Sequence, residues 1–498
     1  NVDVYLIGAS FGDAQVGPNG RSLVISRSTT YGATWTRPAV LFAGTSIRKA
    51  GFRDYSTTPT PVIRAQDGRL YKAMGRQGTT VVSTKDAVDA QTDLLSASSW
   101  RETTAIAWST SHMVPTSWTP PVACHRGRDC FGIMEGNAVE ASNGTIYSIL
   151  RVDGQSNVTY NKAVVFRVES DPANPAGRMV FDRTIDFPST SAKFSIRRQD
   201  RGSARGTYYT LSTSVTTAAV AAASHCAHKD RDCEATISAR NNLVLAMSTN
   251  LLDWHTCSTL LTDDTGFDIV DSARFTGFQY ADWQFDTDDA DTIHFAMRTA
   301  YRGAAGGTSA NRLTVKTVHN VSALCADASL NATRVGAKSD DAQAELSLLA
   351  AMDAARSTAV APRLGVARKA AKPLFEQDRP WEPHIDNGYP SVIYQRDAPR
   401  GTAQWLLFYD AFTTGKVGCS YARTAPFQNT PPACANEASL YAESGDGLSG
   451  WTKPSLGVCP WPPGAAATKA NMANNIIKCP WHDGTFENVQ PSVFRDTG

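Results

Sequence analysis

Long hydrophobic runs are missing from this 498-residue chain. No apolar stretch approaches the ~20 residues of a membrane-spanning helix, which excludes that kind of anchor. Asn1-Val2-Asp3 opens without a signal-peptide pattern, so the expectation is either that a signal was removed or that the sequence starts within the mature protein. A charge excess is missing too: the formal net charge is +1, so no bulk field recruits nucleic acid or an anionic membrane. No phosphate-cradling glycine loop and no nucleophile elbow occurs, which removes nucleotide chemistry and α/β-hydrolase chemistry from the first rank. Cys-x-x-Cys knuckles are also absent, and with them the usual zinc frameworks.

Cysteine itself is plentiful. Ten cysteines include the close neighbours Cys124/Cys130, Cys226/Cys233, Cys419/Cys434 and Cys459/Cys479, with Cys257 and Cys325 left over. The even count in polar surroundings reads as five disulfides, a secreted or cell-surface pattern, although sequence does not fix their connectivity. Four sequons, at Asn143, Asn157, Asn320 and Asn331, agree with that compartment and make glycosylation an expectation. Asn143-Gly144 reads as the tip of a hairpin. His225 and His228 beside Cys226 and Cys233 could be read as a metal loop, but a small disulfide loop is the more ordinary reading. The acidic run 286–291 leaves room for structural calcium, against the plainer alternative of a solvated turn. No other cofactor is called for.

The pattern along the chain is β. Short apolar runs such as Ser22–Ser26, Ala163–Arg167 and Leu243–Met247 alternate with turn clusters such as Gln66-Asp67-Gly68, the rhythm of a sandwich, barrel or propeller. An internal repeat selects the propeller: Ser28 to Trp35, Ser248 to Trp254 and Ser444 to Trp451 each follow a strand with Ser, a polar turn and a Trp. One stretch differs. Residues 339–356 carry helical signals, with Leu346, Leu348, Leu349 and Met352 on one face, and an Ala/Arg/Lys-rich segment follows. That stretch reads as helix plus linker between domains, with a long insertion within one propeller as the alternative. The segment Gly277 to Phe285, with Arg298-Thr-Ala-Tyr301, concentrates aromatics, amides, an acid and a cation, the side chains that stack on sugar rings and bond hydroxyls. Carbohydrate is therefore the expected partner.

These pieces carry a resemblance. Thr58-Pro-Thr-Pro-Val-Ile, Met134-Glu-Gly-Asn-Ala-Val139, Ile149-Leu-Arg-Val-Asp153, Lys193-Phe-Ser-Ile-Arg197 and Gly277 to Phe285 follow one another as in the sialidase-like, Asp-box propeller proteins. Asp378 to Tyr394, Trp405–Tyr409, Ser444 to Pro454 and Asn474–Ile477 look like the opening blades of a five-bladed propeller similar to family 32 and 43 glycoside hydrolases. The resemblance implies an all-β chain: a propeller of six or seven blades over 1–334, a helix and linker over 335–372, and an incomplete second propeller over 373–498. An open propeller leaves strand edges, and from these self-association, even filament assembly, is an expectation.

The same resemblance nominates site residues. Asp54, Tyr55, Glu135, Tyr280 and Asp282 are the candidate catalytic groups; Asp153 joins the carboxylate candidates. Arg48, Arg76, Arg151, Gln279, Trp283 and Arg298 are the candidate substrate contacts. Paired carboxylates would serve a glycosidase, and a tyrosine facing arginines would serve a lyase acting on an acidic sugar. Departures from the family pattern at Ser56, at Met74-Gly75-Arg76 and at Thr308–Asn311 remove imidazoles and an acid from places where the family commonly has them. Two classes stay open: a glycan-binding or assembly protein with catalysis reduced or lost, which these departures favour, and, as the alternative, an active glycosidase or polysaccharide lyase. Turn-bound His255 and strand-borne His294 read as structural.

Overall fold

The computed structural model describes residues 3–10, 21–30, 34–45, 55, 59–75, 79–106, 132–153, 160–190, 192–219, 239–302, 304, 310–326, 375–376, 378–382, 390–395, 402–412, 437–447, 450–461, 466–478 and 492–495. Their strands make six four-stranded antiparallel sheets. The first sheet opens with β1 (Val4–Ser10), β2 (Ser22–Ser28) and β3 (Ala39–Phe42); the second holds β4 (Ile63–Arg64), β5 (Leu70–Gly75), β6 (Thr79–Thr84) and β7 (Trp100–Glu102). The third holds β8 (Gly132–Glu140), β9 (Ile146–Asp153), β10 (Lys162–Asp171) and β11 (Asn174–Asp186). In the fourth lie β12 (Ser195–Arg198), β13 (Tyr208–Thr213), β14 (Asn242–Ser248) and β15 (His255–Thr262). A short helix α1 (Ile269–Phe275) leads into the fifth: β16 (Gly277–Phe285), β17 (Ile293–Ala300), β18 (Arg312–Val318) and β19 (Phe375–Glu376). The sixth is β20 (Ser391–Tyr394), β21 (Trp405–Phe412), β22 (Glu437–Ser444) and β23 (Ile476–Lys478), and β24 (Ser492–Arg495) pairs with β1 to complete the first sheet.

Contacts run from β8 to β12, β12 to β16, β16 to β20 and β20 to β24, so these are inner strands around one axis. The second sheet meets the third through β5 and β8, and a core containing Tyr5, Ile7, Leu70 and Val82 joins the first and second sheets. The ring is closed: this is a six-bladed β-propeller whose last strand is the inner strand of its first blade.

The repeat read from the sequence has a common job. All three turns join the third and fourth strands of their blades. Ser248 Oγ accepts from Leu251 N at 2.8 Å and Trp254 Nε1 donates to Leu251 O at 2.9 Å. Ser444 Oγ likewise accepts from Gly447 N at 3.0 Å, with Trp451 Nε1 donating to Gly447 O at 3.3 Å. Leu251 and Gly447 share a left-handed backbone, φ 69° in both. Each hydroxyl satisfies turn amides, freeing the indole to pack on the preceding blade: Trp254 lies edge-on to Phe187 and Trp35 edge-on to Phe408.

The expected incomplete second propeller is not confirmed among the described residues. Strands from 391–478 supply the sixth blade, and β19 completes the fifth, so residues 335–372 connect two strands of a single blade. The physical reason is a shared core: Ala296, Leu313 and Val315 of the fifth blade pack with Val392, Leu407, Tyr409, Leu440 and Ile476 of the sixth. The helix and linker themselves lie outside the described residues. With β24 filling the inner place of the first blade, the open edge from which self-association was expected is occupied by the chain itself.

Cys257 and Cys325 form a disulfide, and Cys459 is disulfide-bonded as well. Cys124, Cys130, Cys226, Cys233, Cys419, Cys434 and Cys479 fall outside the described residues, as do Asn157 and Asn331. Asn143 is exposed on the β8–β9 hairpin, where its Oδ1 accepts from Thr145 N, and Asn320 is exposed after β18. The carboxylates of the acidic run bond locally: Asp286 accepts from Asp288 N, Asp289 N and His294 Nε2, and Asp291 from Ser322.

Candidate functional site

Two strand irregularities build the site. In the third blade Met134 pairs with Arg151 and Asn137 with Ile149, leaving Glu135 and Gly136 opposite the single residue Leu150. In the fifth blade Gln279 pairs with Arg298 and Asp282 with Ala296, leaving Tyr280 and Ala281 opposite Met297. These are bulges in two inner strands, and each puts one non-glycine residue at positive φ: Glu135 at 54° and Tyr280 at 58°. Such backbone costs ~1–3 kcal/mol per residue and persists only where surrounding structure enforces it. Each bulge re-aims one side chain of its strand.

The two aimed side chains meet. Tyr280 Oη donates to Glu135 Oε1 at 3.0 Å, across 145 residues of chain. The arginine paired beside each bulge supports it: Arg151 Nε lies 2.7 Å from Glu135 Oε2, and Arg298 Cζ sits 4.9 Å from the Tyr280 ring centroid. A further guanidinium, Arg240, lies 5.8 Å from the same ring and donates to Gln279 Oε1. Burial lowers the Arg240 pKa, and Tyr280, Arg151, Arg298 and Glu135 are all near enough to act on it electrostatically. Three guanidinium groups thus surround one phenol and one carboxyl. Tyr280, Glu135, Arg151 and Arg298 are 4%, 6%, 4% and 2% exposed, so their fields are weakly screened.

The chemistry follows from this arrangement. A phenol donating to a carboxylate can pass its proton there, and the cations stabilise the phenolate that results. A cluster of guanidinium groups also suits an anionic ligand group, since arginine's planar fork matches a carboxylate bidentately.

Other candidates are placed elsewhere. Asp282, expected to be catalytic, ties the inner strands together: Oδ1 lies 3.2 Å from Arg197 Nη2 of the fourth blade, and Oδ2 accepts from Val392 N of the sixth at 3.3 Å. Tyr55 is fully buried in the core of the first two blades, its ring 6.3 Å from Phe42 and its hydroxyl donating to Glu102 at 2.9 Å. Trp283 offers no face to a sugar. It is 0% exposed, with Nε1 donating to Ser195 O, because the register after the bulge turns it into the core between the fourth and fifth blades. Gln279 positions Arg240. The backbone of Asp153 closes β9 opposite Gly132. Arg48, Asp54 and Arg76 lie outside the described residues.

Sequence reasoning missed Arg240, which precedes β14 without a motif. It also missed two buried lysines. Lys72 on β5 and Lys193 before β12 are 0% and 2% exposed; Lys193 opens one of the motifs quoted above but was not singled out, and nothing around Lys72 in the sequence separates it from a solvent-facing lysine.

No protein-family model matches the chain, and no curated protein does. Among solved structures, a protein of unknown function from Dyadobacter fermentans is similar at 11% identity and TM-score 0.35, covering 83% of this chain and 94% of that one. The intramolecular trans-sialidase from Ruminococcus gnavus is similar at 10% identity and TM-score 0.35 over 61% of this chain and 51% of that one. The NanB sialidase from Streptococcus pneumoniae is similar at 13% identity and TM-score 0.32 over 57% of this chain. The chain spans about a third of that sialidase's length, 33%. Likeness this distant transfers no activity.

Proposed function

We propose that this is a secreted, carbohydrate-directed propeller whose axial site takes a sugar bearing a carboxylate and cleaves its glycosidic bond, with Tyr280 as the nucleophile and Glu135 as its base. The observation that carries the reading is the meeting of Tyr280 and Glu135 from two strained bulges, each flanked by an arginine. A neutral phenol is a poor nucleophile. In the attack its proton passes to Glu135 along the existing hydrogen bond, with Arg298 and Arg240 beside the ring to meet the charge that develops on the oxygen. Tyrosine nucleophiles are one of the known exceptions to the two-carboxylate rule of glycosidases. Arg151, 2.7 Å from Glu135 Oε2, holds that carboxyl in place beside the phenol. The leaving oxygen takes its proton from water or from a further carboxyl; Asp54, one of the carboxylate candidates read from the sequence, lies outside the described residues. The Cys257–Cys325 bond and the exposed Asn143 support the secretory part of the reading.

The runner-up among enzymes, elimination at a uronic acid, uses the same groups with Tyr280 as base. The test is turnover on a panel of sialylated, rhamnosylated and uronate-containing glycans. Hydrolysis is expected only where a carboxylate is present, falling at least ~10³-fold in Tyr280→Phe and in Glu135→Gln. An unsaturated product would move the reading to the lyase. Turnover of neutral rhamnosylated glycans, or unchanged activity in Tyr280→Phe, would overturn it; binding without turnover would move it to the glycan-binding class.

A further inference from the structure

Both bulges are held from behind. Ala281 O, next to Tyr280, accepts from Ser195 Oγ at 2.9 Å and from Lys193 Nζ at 3.4 Å. Gly136 O, next to Glu135, accepts from Thr60 Oγ1 at 2.9 Å, and the carbonyl of that same threonine accepts from Lys72 Nζ at 3.0 Å. The two lysines come from different blades, and the charge of Lys193 acts on Lys72; Asp282 acts on both, and Glu135 and Arg197 act on Lys193. We infer that Lys193 and Lys72 are positioning residues for the Tyr280–Glu135 pair, holding the two bulges in register and making the geometry of the site respond to pH. This deepens, and rests on, the reaction proposed above.

Several groups set the charge state of the lysines. Burial strips water from Lys72 and, helped by the nearby Lys193 charge, pushes its pKa down to about 7, while Asp282 opposes the shift. Burial likewise pushes Lys193 down to about 8, against the pull of Asp282 and Glu135 and with the push of Arg197. Around pH 6 both ammonium groups are charged, and their bonds to Ala281 O and Thr60 O are charge-assisted. Around pH 9 both are neutral amines. Those bonds weaken, and Asp282 and Glu135 lose a buried counter-charge, so the carbonyls that anchor the bulges are held less firmly. Reorientation of Tyr280 against Glu135 is the consequence.

The experiment follows the Tyr280 ring directly. In protein carrying ring-13C tyrosine, with the Tyr280 signal assigned by its loss in Tyr280→Phe, chemical shift is recorded from pH 5.5 to 9.5. An inflection between about 7 and 8 is expected in the parent, and its displacement or loss in Lys193→Met and Lys72→Met. Thermal melts of both variants check that they fold. Should one fail to fold, the other carries the test through the same readout. Turnover measured in parallel is expected to fall about 10²-fold in Lys193→Met, mainly in kcat, because misplacing a reacting group by ~1 Å has that effect. An inflection unchanged in folded variants, or no inflection in the parent, would overturn the inference. Absence of turnover in the parent with the inflection intact would instead count against the proposed reaction alone.

Discussion

At the scale of single residues, what the sequence revealed depended on whether a residue's role was local. Glu135, Arg151, Tyr280 and Arg298 were nominated because each stands in a short motif with a strand around it, and the structure brings the four together. Tyr55 and Trp283 looked equally suitable, yet one is sealed in a core and the other is turned inward by a bulge, and neither event leaves a local mark in the sequence. Lys72 was invisible for the same reason, since a lysine on a strand ordinarily faces water. Its burial gives a stability prediction. The folded pKa of about 7 lies below the ordinary 10.5, so between these values the folded state binds fewer protons and stability rises with pH. Lys72→Met removes that slope. Compared with the parent, the variant is expected to be more stable at pH 6, by at most about 5 kcal/mol, with the advantage gone by about pH 10.5; urea melts at the two pH values measure it. A variant that loses stability at pH 6 more than at pH 10.5 would contradict the assigned cause. Arg298→Gln tests the cationic wall: affinity for an acidic monosaccharide is expected to fall ~10- to 100-fold, read by calorimetry.

At the scale of elements, the third and fifth blades use one device twice: a bulge on the inner strand and an arginine on the next strand beside it. Alternation in the sequence located these strands well, but a bulge is one extra residue that shifts alternation without a signature, so the inward and outward faces beyond it were not readable. Gly136 shows how tightly the device is built. A Cβ there would lie 2.5 Å from Ser148 Oγ, 3.1 Å from Leu150 Cγ and 3.3 Å from Ala73 Cβ. Gly136→Ala is therefore expected to destabilise by ~1–3 kcal/mol and to lower turnover more than that loss of folded protein explains. Thermal melts with activity normalised to folded fraction check it. Normal activity in a destabilised variant would show that the bulge is not tuned for the site.

At the scale of the whole molecule, propeller architecture was legible from the Ser-to-Trp repeat, whereas the count of propellers was not. The residues after 373 carry blade-like motifs, and sequence gives no sign of whether such blades start a new ring or finish an old one. That distinction lives in pairings as distant as Val4 with Arg495 and in the core shared by the fifth and sixth blades. Truncation before Ser492 removes the inner strand of the first blade. It is expected to lower the melting temperature by at least ~5 °C and broaden the transition, since a ring opened at one blade exposes strand edges and core. An unchanged melt would mean that the closing strand contributes little.

The most direct measurement of the central claim compares, by calorimetry, the affinity of the parent protein for an acidic sugar and for the same sugar with its carboxylate reduced to an alcohol. Three guanidinium groups around the Tyr280–Glu135 pair lead to an expected preference of at least ~100-fold for the carboxylate form. Equal affinity for the two would contradict it.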